Sequence, residues 1–471
     1  MEQYDVIVIG SGSGGLTVAY TAVGLGKKVL LVEKSKPGGE CTWSGCIPSK
    51  TLIHIAKEMA VIRRYQPDYS VNTSEVLAQI RETILSVYAG ETPEILKSHH
   101  IHYLNGFAKF VNKNTIEVDG QLHTGKKIII ATGTSPFVPN IEGIDEVAYM
   151  TNESFFTAET LPSSMIVLGG GAIGVELAMA LNDLGIQIDL VEMLPEILPS
   201  EEPEFGKLLH EIMVRKGIVV HTDAKAVSVA NGNNPDGTKA DGVGINLTIE
   251  INNEQILIES KSLLVAVGRK PNIDGLELES AKVGYDRKGI SVNAYMRTSN
   301  KAIYAVGDVA SKYQFSHMAY AMGVIAAQNA IFPWKRKMSY KHVAWCTYCT
   351  PELARAGLTE AEARQQYSNN VRIYEHAYKD IDRAKTEHTT EGLIKLITNK
   401  KGKLLGATIL GERAGELICE LQVIKTLGIS PTKLGKVIHP YPTYSEALSA
   451  LGRKIMIDRL VNNWVVKLFR K

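Results

Sequence analysis

Two stretches of this chain share one pattern of hydrophobic and polar positions. The first opens with an apolar run at residues 6–9, and the second with a similar run at residues 165–168. In each stretch glycines follow the run, then a segment with helical periodicity, and then a second apolar run that ends in a glutamate. A short apolar run bounded by turn residues indicates a buried strand. The pattern therefore predicts two strand–helix–strand units and an α/β fold.

The glycines within these units have the spacing of dinucleotide-binding loops. They are Gly10, Gly12 and Gly15 in the first unit and Gly169, Gly171 and Gly174 in the second. Such glycines allow a tight turn and a close approach to a pyrophosphate, whose charge lies at the helix N-terminus. About twenty residues after the loop, a carboxylate accepts a hydrogen bond from a ribose hydroxyl. Glu33 and Glu192 occupy this place, so two dinucleotides are predicted.

One protein seldom needs the same dinucleotide twice, so we expect a nicotinamide coenzyme that reduces a bound FAD. Glu192 would bond a ribose diol and repel a 2′-phosphate. No arginine follows it closely, because residues 193–195 are Met, Leu and Pro. The sequence therefore favours NADH over NADPH.

Composition and charge narrow the class of protein. A chain of 471 residues suggests roughly two to four domains. Lys and Arg number 52 against 50 acidic residues, so no strong field attracts nucleic acid. A predicted strand begins almost at once, and no apolar run reaches the ~18 residues of a membrane span. We therefore expect no secretory signal and a cytoplasmic location.

Five cysteines are too few, and odd in number, for a disulfide framework. Cys41 and Cys46 lie five positions apart, after glycines and before Pro48, at what is predicted to be a helix start. Such a pair can stabilise a fold, bind a metal or exchange electrons. The neighbouring dinucleotide sites favour electron exchange.

The other cysteines bear on the metal alternative. Cys346 and Cys349 are spaced as zinc ligands, but residues 342–352 are predicted to form a strand, where positions three apart face opposite sides. We therefore interpret both as ordinary buried thiols. Cys419 is interpreted as part of an apolar, buried helix face.

With these features the chain resembles the class I pyridine nucleotide–disulfide oxidoreductases, such as dihydrolipoamide dehydrogenase, glutathione reductase and mercuric reductase. Further motifs extend the resemblance over nearly the whole length. IIIATGTSP (128–136) and LLVAVGRKPN (263–272) resemble the family's two interdomain crossovers. TSNKAIYAVGDVA (298–310) resembles its second FAD motif, and AWCTYCTPELARAGLTE (344–360) resembles the entry to its interface domain.

The resemblance implies two Rossmann-like dinucleotide-binding domains, for FAD and NAD, and a C-terminal α+β dimerisation domain. Residues 1–145 and 271–340 would form the FAD domain, interrupted by the NAD(P)H domain at 146–270, with the interface domain at 341–471. Each subunit would bind one FAD, with Asp308 holding its ribityl chain. The implied cofactor contacts within the later motifs are Thr132, Gly133, Gly268, Arg269, Gly307 and Asp308.

The same resemblance implies that Cys41 and Cys46 form a redox-active disulfide that relays electrons. Cys46 would lie against the flavin as a charge-transfer thiolate, and Cys41 would exchange with substrate. Lys50 would pair with Glu176 near N5 of the bound flavin and would also contact that cofactor. A helix N-terminus suits this role, because it lowers the pKa of a thiol.

The substrate side departs from the family. Its motif His-Pro-Thr-x-x-Glu supplies a histidine as general acid–base, but here residues 439–446 read HPYPTYSE. Tyr441 stands where that histidine belongs, while Glu446 is retained. A tyrosine, with a pKa near 10, cannot move a thiol proton at neutral pH as histidine does. His439 is offset by two residues, and an ordinary loop role is favoured for it over that of a base.

Mercuric reductases carry a tyrosine here, so the motif favours a soft metal ion, a small disulfide or a quinone-like acceptor. The chain lacks their C-terminal cysteine pair, however, and Glu40 and Trp43-Ser44 replace the usual Thr and Asn-Val around the redox cysteines. The alternative is a dihydrolipoamide dehydrogenase of a 2-oxoacid dehydrogenase complex. A non-enzymatic redox module is disfavoured, because the reactive residues are retained together.

The resemblance also implies a two-fold homodimer joined through residues 341–471. In it, the segment that holds Tyr441 and Glu446 faces Cys41 of the partner subunit. Residues 457–471 have the spacing of an amphipathic helix. Docking of this helix on the dimer is favoured over attachment to an anionic membrane, because its basic charge is modest.

Overall fold

The computed structural model describes residues 2–232 and 244–462. The N-terminal part supplies most of the first sheet and its helices. Its elements are β1 (Glu2–Ile9), α1 (Ser13–Gly24), β2 (Val29–Glu33), α2 (Gly39–Trp43), α3 (Cys46–Tyr65), α4 (Thr73–Tyr88), α5 (Pro93–Ser98), β3 (Ile101–Asn105), β4 (Ala108–Asn112), β5 (Thr115–Val118), β6 (Gln121–Ile130) and β7 (Thr134–Pro136).

The middle part forms a second sheet and then returns to the first. Its elements are α6 (Asn152–Phe155), β8 (Ser164–Leu168), α7 (Ala172–Asp183), β9 (Gln187–Val191), α8 (Pro203–Arg215), β10 (Val219–His221), β11 (Lys225–Asn231), β12 (Ile245–Ile251), β13 (Glu254–Ser260), β14 (Leu263–Val265), β15 (Arg269–Pro271), β16 (Tyr285–Asp286), β17 (Gly289–Ile290), β18 (Ile303–Ala305) and α9 (Ser316–Ile331).

The C-terminal part forms a third unit. Its elements are β19 (Ala344–Thr347), β20 (Glu352–Gly357), α10 (Glu360–Tyr367), β21 (Val371–Ala377), α11 (Asp382–Glu387), β22 (Leu393–Asn399), β23 (Leu404–Gly411), α12 (Ala414–Thr426) and α13 (Glu446–Val461).

The first sheet has the strand order β3-β2-β1-β6, all parallel, and continues antiparallel through β5 and β4. Ile7 in β1 pairs with Leu30 on one side and Ile128 on the other, and all three are fully buried. Such strands are continuously apolar because both faces of the sheet are covered. Helices α1 and α9 pack on one face, and β4, β5 and residues 276–290 pack on the other. The later strand β18 pairs with the end of β6, so the carboxyl ends of β1, β2, β6 and β18 lie at one edge.

The second sheet repeats the parallel arrangement with the order β10-β9-β8-β14. The antiparallel strands β11, β12 and β13 pack against it, and Ile166, Leu168 and Leu247 share one core. Both strand–helix–strand units predicted from the apolar pattern are therefore confirmed. Glu33 ends β2, and Glu192 follows β9.

The third unit is a five-stranded antiparallel sheet, β19-β20-β23-β22-β21, with α12 and α13 packed on it. This confirms the predicted α+β architecture of the C-terminal domain. A buried ion cluster joins it to the second unit. Lys395 in β22 is 2% exposed, and its Nζ lies 2.8 Å from Glu204 and 2.6 Å from Glu360, with Glu202 next to them.

Three predictions about this region need correction. Residues 342–352 are not one strand, because β19 ends at Thr347 and β20 begins at Glu352. Cys349 is buried as predicted, but Cys346 is only partly so. Cys419 is exposed, because the buried face of α12 runs through residues such as Leu417, Ile418 and Leu421.

The predicted C-terminal amphipathic helix lies mostly outside the described residues. Helix α13 ends at Val461, and the predicted apolar positions 464, 465 and 468 lie in the part not described. Ile457 and Leu460 are 56% and 51% exposed on the surface of the chain. Within residues 2–232 and 244–462, no helix is long and apolar enough to cross a membrane.

Candidate functional site

The two glycine loops hold their helices close to their strands. An ideal Cβ on Gly15 would lie 1.9 Å from the carbonyl oxygen of Gly10, and one on Gly174 would lie 1.9 Å from that of Gly169. Each helix can therefore pack on its strand only without a side chain at this position. The free N–H groups of the first turns of α1 and α7 then face the ends of β1 and β8, where a pyrophosphate binds in such folds.

The acids that follow the second strands are anchored by backbone donors. Glu33 Oε2 accepts hydrogen bonds from the amide and hydroxyl of Ser11, both at 2.8 Å. Glu192 Oε2 accepts from Gly170 N at 2.6 Å, and its Oε1 accepts from Leu194 N at 2.8 Å. Among the described residues Glu192 makes no ion pair. Both carboxylates thus stand at the places where a ribose diol would be bound.

A cavity of about 1380 Å³ lies at the carboxyl edge of the first sheet. The predicted residues in its wall are Gly10, Gly12, Glu33, Cys41, Cys46, Lys50, Thr132, Gly133, Glu176, Arg269, Gly307 and Asp308. An ideal Cβ on Gly12 would project into open space, with no atom nearer than 3.8 Å. The volume, the bare glycine backbone and the carboxylates fit a bound FAD.

Other predicted cofactor residues do not line this cavity. Gly15 packs behind it, against Gly10. The remaining ones belong to the second unit and its exit: Gly169, Gly171, Gly174, Glu192 and Gly268. The structure thus separates the predicted residues into two neighbouring sites, as two dinucleotides require.

Arg269 anchors a polar network in the cavity wall that the sequence did not indicate. Its Nε donates to Thr134 Oγ1 at 2.7 Å, and its guanidinium pairs with Glu40. Glu40 also accepts from Asn152 Nδ2 at 2.8 Å, and burial raises its pKa against the opposing effect of Arg269. Thr134 in turn donates to Asp308 at 3.3 Å, and burial raises the pKa of Asp308. The carboxyl groups of Glu40 and Asp308 are therefore connected through Arg269 and Thr134.

Cys41 and Cys46 lie on either side of a break between two helices. Cys41 belongs to the short helix α2, and Cys46 is the first residue of α3. Gly45 between them has φ −118° and ψ −114°, which is not helical. The predicted helix start is therefore confirmed at Cys46, and it is preceded by this break. The break leaves both side chains as free thiols next to each other, so that each affects the pKa of the other.

The two thiols differ in acidity. The hydrogen bond from Cys41 lowers the pKa of Cys46, and Ser316 and the Lys50 ammonium lower it further against the effect of burial. The same bond, together with burial, raises the pKa of Cys41. Cys46 is therefore the thiolate of the pair, and Cys41 keeps its proton.

Lys50 and Glu176 form the predicted pair next to the thiols. Lys50 Nζ lies 2.8 Å from Glu176 Oε2, and the Glu176 side chain is 9% exposed. The other carboxylate oxygen accepts from the backbone N–H of Tyr348 at 2.7 Å. The Lys50 ammonium lies 4.7 Å from the centre of the Tyr348 ring, a cation–π contact. Tyr348 was not predicted, because nothing local in the sequence marks a residue that comes from another domain.

The segment with Tyr441 does not reach the cavity of its own chain. Tyr441 is 74% exposed, and its hydroxyl donates to Asp382 at 3.1 Å, which raises its pKa. His439 is turned inward, with Nε2 3.2 Å from Glu420 and a side chain 9% exposed. Glu446 begins α13 with one buried oxygen that has no hydrogen-bond partner among the described residues. Tyr441, not His439, is therefore the residue presented at the surface.

The five cysteines were also compared as zinc ligands. Within the described residues, which include all five cysteines, no three His, Cys, Asp or Glu side chains are grouped to hold a metal ion. Cys346 lines the cavity from the side of α12, far along the chain from Cys41 and Cys46. Burial raises the pKa of Cys346, which makes its thiol unreactive.

Comparison with known proteins gives one family. Residues 4–323 match the model of the pyridine nucleotide-disulphide oxidoreductases, and residues 343–451 match the dimerisation domain of the same family. A dihydrolipoyl dehydrogenase of Thermus scotoductus is 36% identical over 457 residues, which cover 95% of this chain and 96% of that protein. A mercuric reductase of Bacillus cereus is 32% identical over 454 residues, which cover 95% of this chain and 70% of that protein.

A solved structure extends the comparison to the whole fold. It is the Cu(II) complex of the HOCl-induced flavoprotein disulfide reductase RclA from Escherichia coli. The two structures superpose with a TM-score of 0.84 at 25% identity, covering 96% of this chain and 100% of the other.

Proposed function

This chain belongs to the pyridine nucleotide–disulphide oxidoreductase family, and from that premise we propose that it is an FAD-dependent, NADH-preferring reductase of a soft metal ion. Electrons would pass from NADH to FAD, then to the Cys41–Cys46 pair, and from there to Cu(II) or Hg(II). We also propose that the domains have the boundaries predicted from the sequence and that the enzyme works as a homodimer in the cytoplasm.

The observation that carries this proposal is the exposed Tyr441 in place of a proton-carrying histidine. Reduction of an organic disulfide needs a group that returns protons to two leaving thiolates. A soft cation needs thiolate ligands instead, and takes up electrons without a proton. His439 is bonded to Glu420 within its own chain and is not free to replace the missing base. The structural neighbour solved with Cu(II) supports the same class of acceptor.

The residues of the cavity have distinct parts in this mechanism. FAD, when bound, supplies the transfer of two electrons between the nicotinamide and the disulfide. The Lys50 ammonium, fixed by Glu176, would hold negative charge near the reacting ring. Cys46 would hold a thiolate beside that ring, and Cys41 would keep a proton until it meets the acceptor. Arg269, Thr134 and Asp308 would orient the bound cofactor.

Coenzyme choice follows from Glu192. Its carboxylate is fixed by two backbone N–H groups at the end of the second sheet, and the next side chain, Met193, is 66% exposed and uncharged. A 2′-phosphate placed here would meet the negative charge of Glu192, with which no Lys or Arg of the described residues forms an ion pair. We therefore propose NADH as the donor.

A second candidate is dihydrolipoyl dehydrogenase activity, which the 36% identical relative favours. Small disulfides and quinones are further acceptors to compare. Within residues 437–443, however, Tyr441 is exposed, whereas the histidine, His439, is turned inward. The two candidates differ in whether a thiol proton must be moved at neutral pH.

Steady-state NADH oxidation tests the choice. The acceptors are Cu(II), Hg(II), lipoamide, glutathione disulfide and a quinone, with Cu(I) trapped by a chelator and enzyme-free controls. We expect the metal ions to give the fastest turnover, and Cys41→Ser to lose it. Tyr441→His should raise lipoamide turnover near pH 7, while the matched Tyr441→Phe should not. Rapid turnover of lipoamide by the unaltered enzyme would identify the second candidate instead.

A further inference from the structure

The sulfur of Cys46 has a neighbour that comes from far along the chain. Ser316 Oγ lies 3.5 Å from Cys46 Sγ, and the two residues are 270 positions apart. Ser316 is the first residue of α9 and is half-buried in the wall of the cavity. Nothing in the local sequence around either residue indicates this contact.

Two contacts fix Ser316 in place. Ser13 Oγ donates a hydrogen bond to the carbonyl oxygen of Ser316 at 3.0 Å, which joins the starts of α1 and α9. Further along α9, an ideal Cβ on Gly323 would lie 2.8 Å from the carbonyl oxygen of Gly14, so the two helices pack backbone to backbone. The start of α9, and with it the backbone of Ser316, is therefore held next to the start of α1.

The need for a second donor follows from the chemistry of the pair. In the dithiol, the thiol of Cys41 lowers the pKa of Cys46 through a hydrogen bond that stabilises the Cys46 thiolate. When Cys41 binds the acceptor through sulfur, its proton leaves and this hydrogen bond is lost. Lys50 acts only through its charge, because its ammonium is paired with Glu176 at 2.8 Å. The hydroxyl of Ser316 is then a neutral hydrogen-bond donor that stays next to the sulfur of Cys46.

We propose that Ser316 stabilises the Cys46 thiolate by donating a hydrogen bond to it, and that it does so while Cys41 is engaged with the acceptor. A hydroxyl that donates to an anion makes a stronger bond than one between neutral groups. The inference rests on the proposed role of Cys46 as the flavin-facing thiolate. It does not depend on which acceptor is correct.

The test uses the FAD-loaded enzyme with Cys41→Ala, so that Ser316 is the hydroxyl left beside Cys46. The pH dependence of the long-wavelength absorbance and the rate of alkylation of Cys46 by iodoacetamide both report the thiolate. Adding Ser316→Ala should raise the apparent pKa of Cys46 by about one unit, the effect of losing one charge-assisted hydrogen bond. Adding Ser316→Thr, which keeps a hydroxyl, should restore it.

Ser49→Ala is the matched control. Ser49 lies one turn along α3, and its hydroxyl bonds the carbonyl oxygen of Cys46 at 3.4 Å rather than the sulfur. We expect no shift from it. If Ser316→Ala weakens FAD binding, alkylation of the apoprotein gives the same comparison. An unchanged pKa in Ser316→Ala would overturn the inference, whereas loss of the absorbance band in Cys41→Ala alone would overturn the proposed role of Cys46.

Discussion

Cys41 and Cys46 have unequal surroundings, although only a helix break separates them. A thiolate is present above its pKa and is lost as the pH falls through it, so the lowered pKa of Cys46 extends its thiolate form below the ordinary value of 9.0. With Cys41→Ser, we expect FAD to stay bound and a long-wavelength charge-transfer band to be visible near pH 8 without NADH. Cys46→Ser should abolish the band.

The comparison needs both variants. Absorbance spectra from pH 5 to 10 measure the band, and the spectrum of bound FAD shows that the fold is intact. Equal, wild-type reductase activity in both variants would show that the electrons take a route that avoids this pair.

Glu192 gives a second prediction at the scale of single residues. Glu192→Ala combined with Met193→Arg removes a carboxylate and adds a phosphate partner, so the ratio of kcat/KM for NADPH to that for NADH should rise on the order of tenfold or more. Steady-state kinetics with both coenzymes provides the measurement. The single change Glu33→Ala, in the first unit, is the matched control and should leave the ratio unaltered. A wild-type enzyme that already prefers NADPH would contradict the assignment.

At the scale of elements, the contact of α7 with β8 depends on one missing side chain. Gly174→Ala would place a methyl group against the backbone of Gly169, which cannot move without separating helix and strand. We expect a loss of roughly 1–3 kcal/mol in the free energy of unfolding and weaker NADH binding. Thermal or urea unfolding and a coenzyme titration measure the two effects.

Gly171→Ala separates packing from binding. An ideal Cβ on Gly171 meets no protein atom within 4 Å, and the residue has the extended backbone of a helix cap. The free energy of unfolding of the Gly171→Ala protein should be unchanged. Its NADH binding should weaken, because the methyl group would occupy the phosphate side of the loop. Equal stability of the two glycine variants would mean that the close approach of Gly174 to Gly169 does not affect the free energy of unfolding.

The elements that the sequence predicted correctly share a local signal. The glycine loops, the strand that ends in Glu33 and the helix start at Cys46 are each determined by residues within a few positions of one another. The prediction that Cys419 is buried also depended on a local signal, but it was wrong. A helix turns 100° per residue, so an error of one position moves a side chain from the buried face of α12 to the exposed one.

The contacts that the sequence could not predict join distant parts of the chain. Arg269 and Glu40 are 229 positions apart, and Ser316 and Cys46 are 270 apart. Tyr348 reaches Glu176 from another domain. These pairs depend on how the units pack, and neither partner has a sequence neighbourhood that identifies the other. The site's reactive residues were thus predictable, and most of their supporting contacts were not.

At the scale of the whole molecule, the surface around Tyr441 is unusual for a single chain. Ile438 is 95% exposed, and Val423 in α12 and Leu427 directly after α12 are 55% and 67% exposed. Large exposed apolar side chains of this kind are typical of an interface. We expect Ile438→Asp to weaken the dimer, so that sedimentation velocity shows monomers at micromolar concentration and specific activity falls on dilution.

Val214→Asp is the control, because Val214 is 51% exposed on α8 in the second unit. It should leave the dimer unchanged. A monomeric Ile438→Asp protein with full activity would contradict the shared site.

Because Tyr441 lies outside the cavity that holds Cys41 in its own chain, we expect a complete site to take one half from each subunit. Two defective genes can then correct each other. In cells that make a Cys41→Ser chain together with a Tyr441→Ala chain, every mixed dimer keeps one site in which both half-sites are unaltered. Activity should rise above that of either chain made alone. Conversely, a copy altered at Tyr441 and expressed beside a normal one should impair the site that holds Cys41 of the normal subunit.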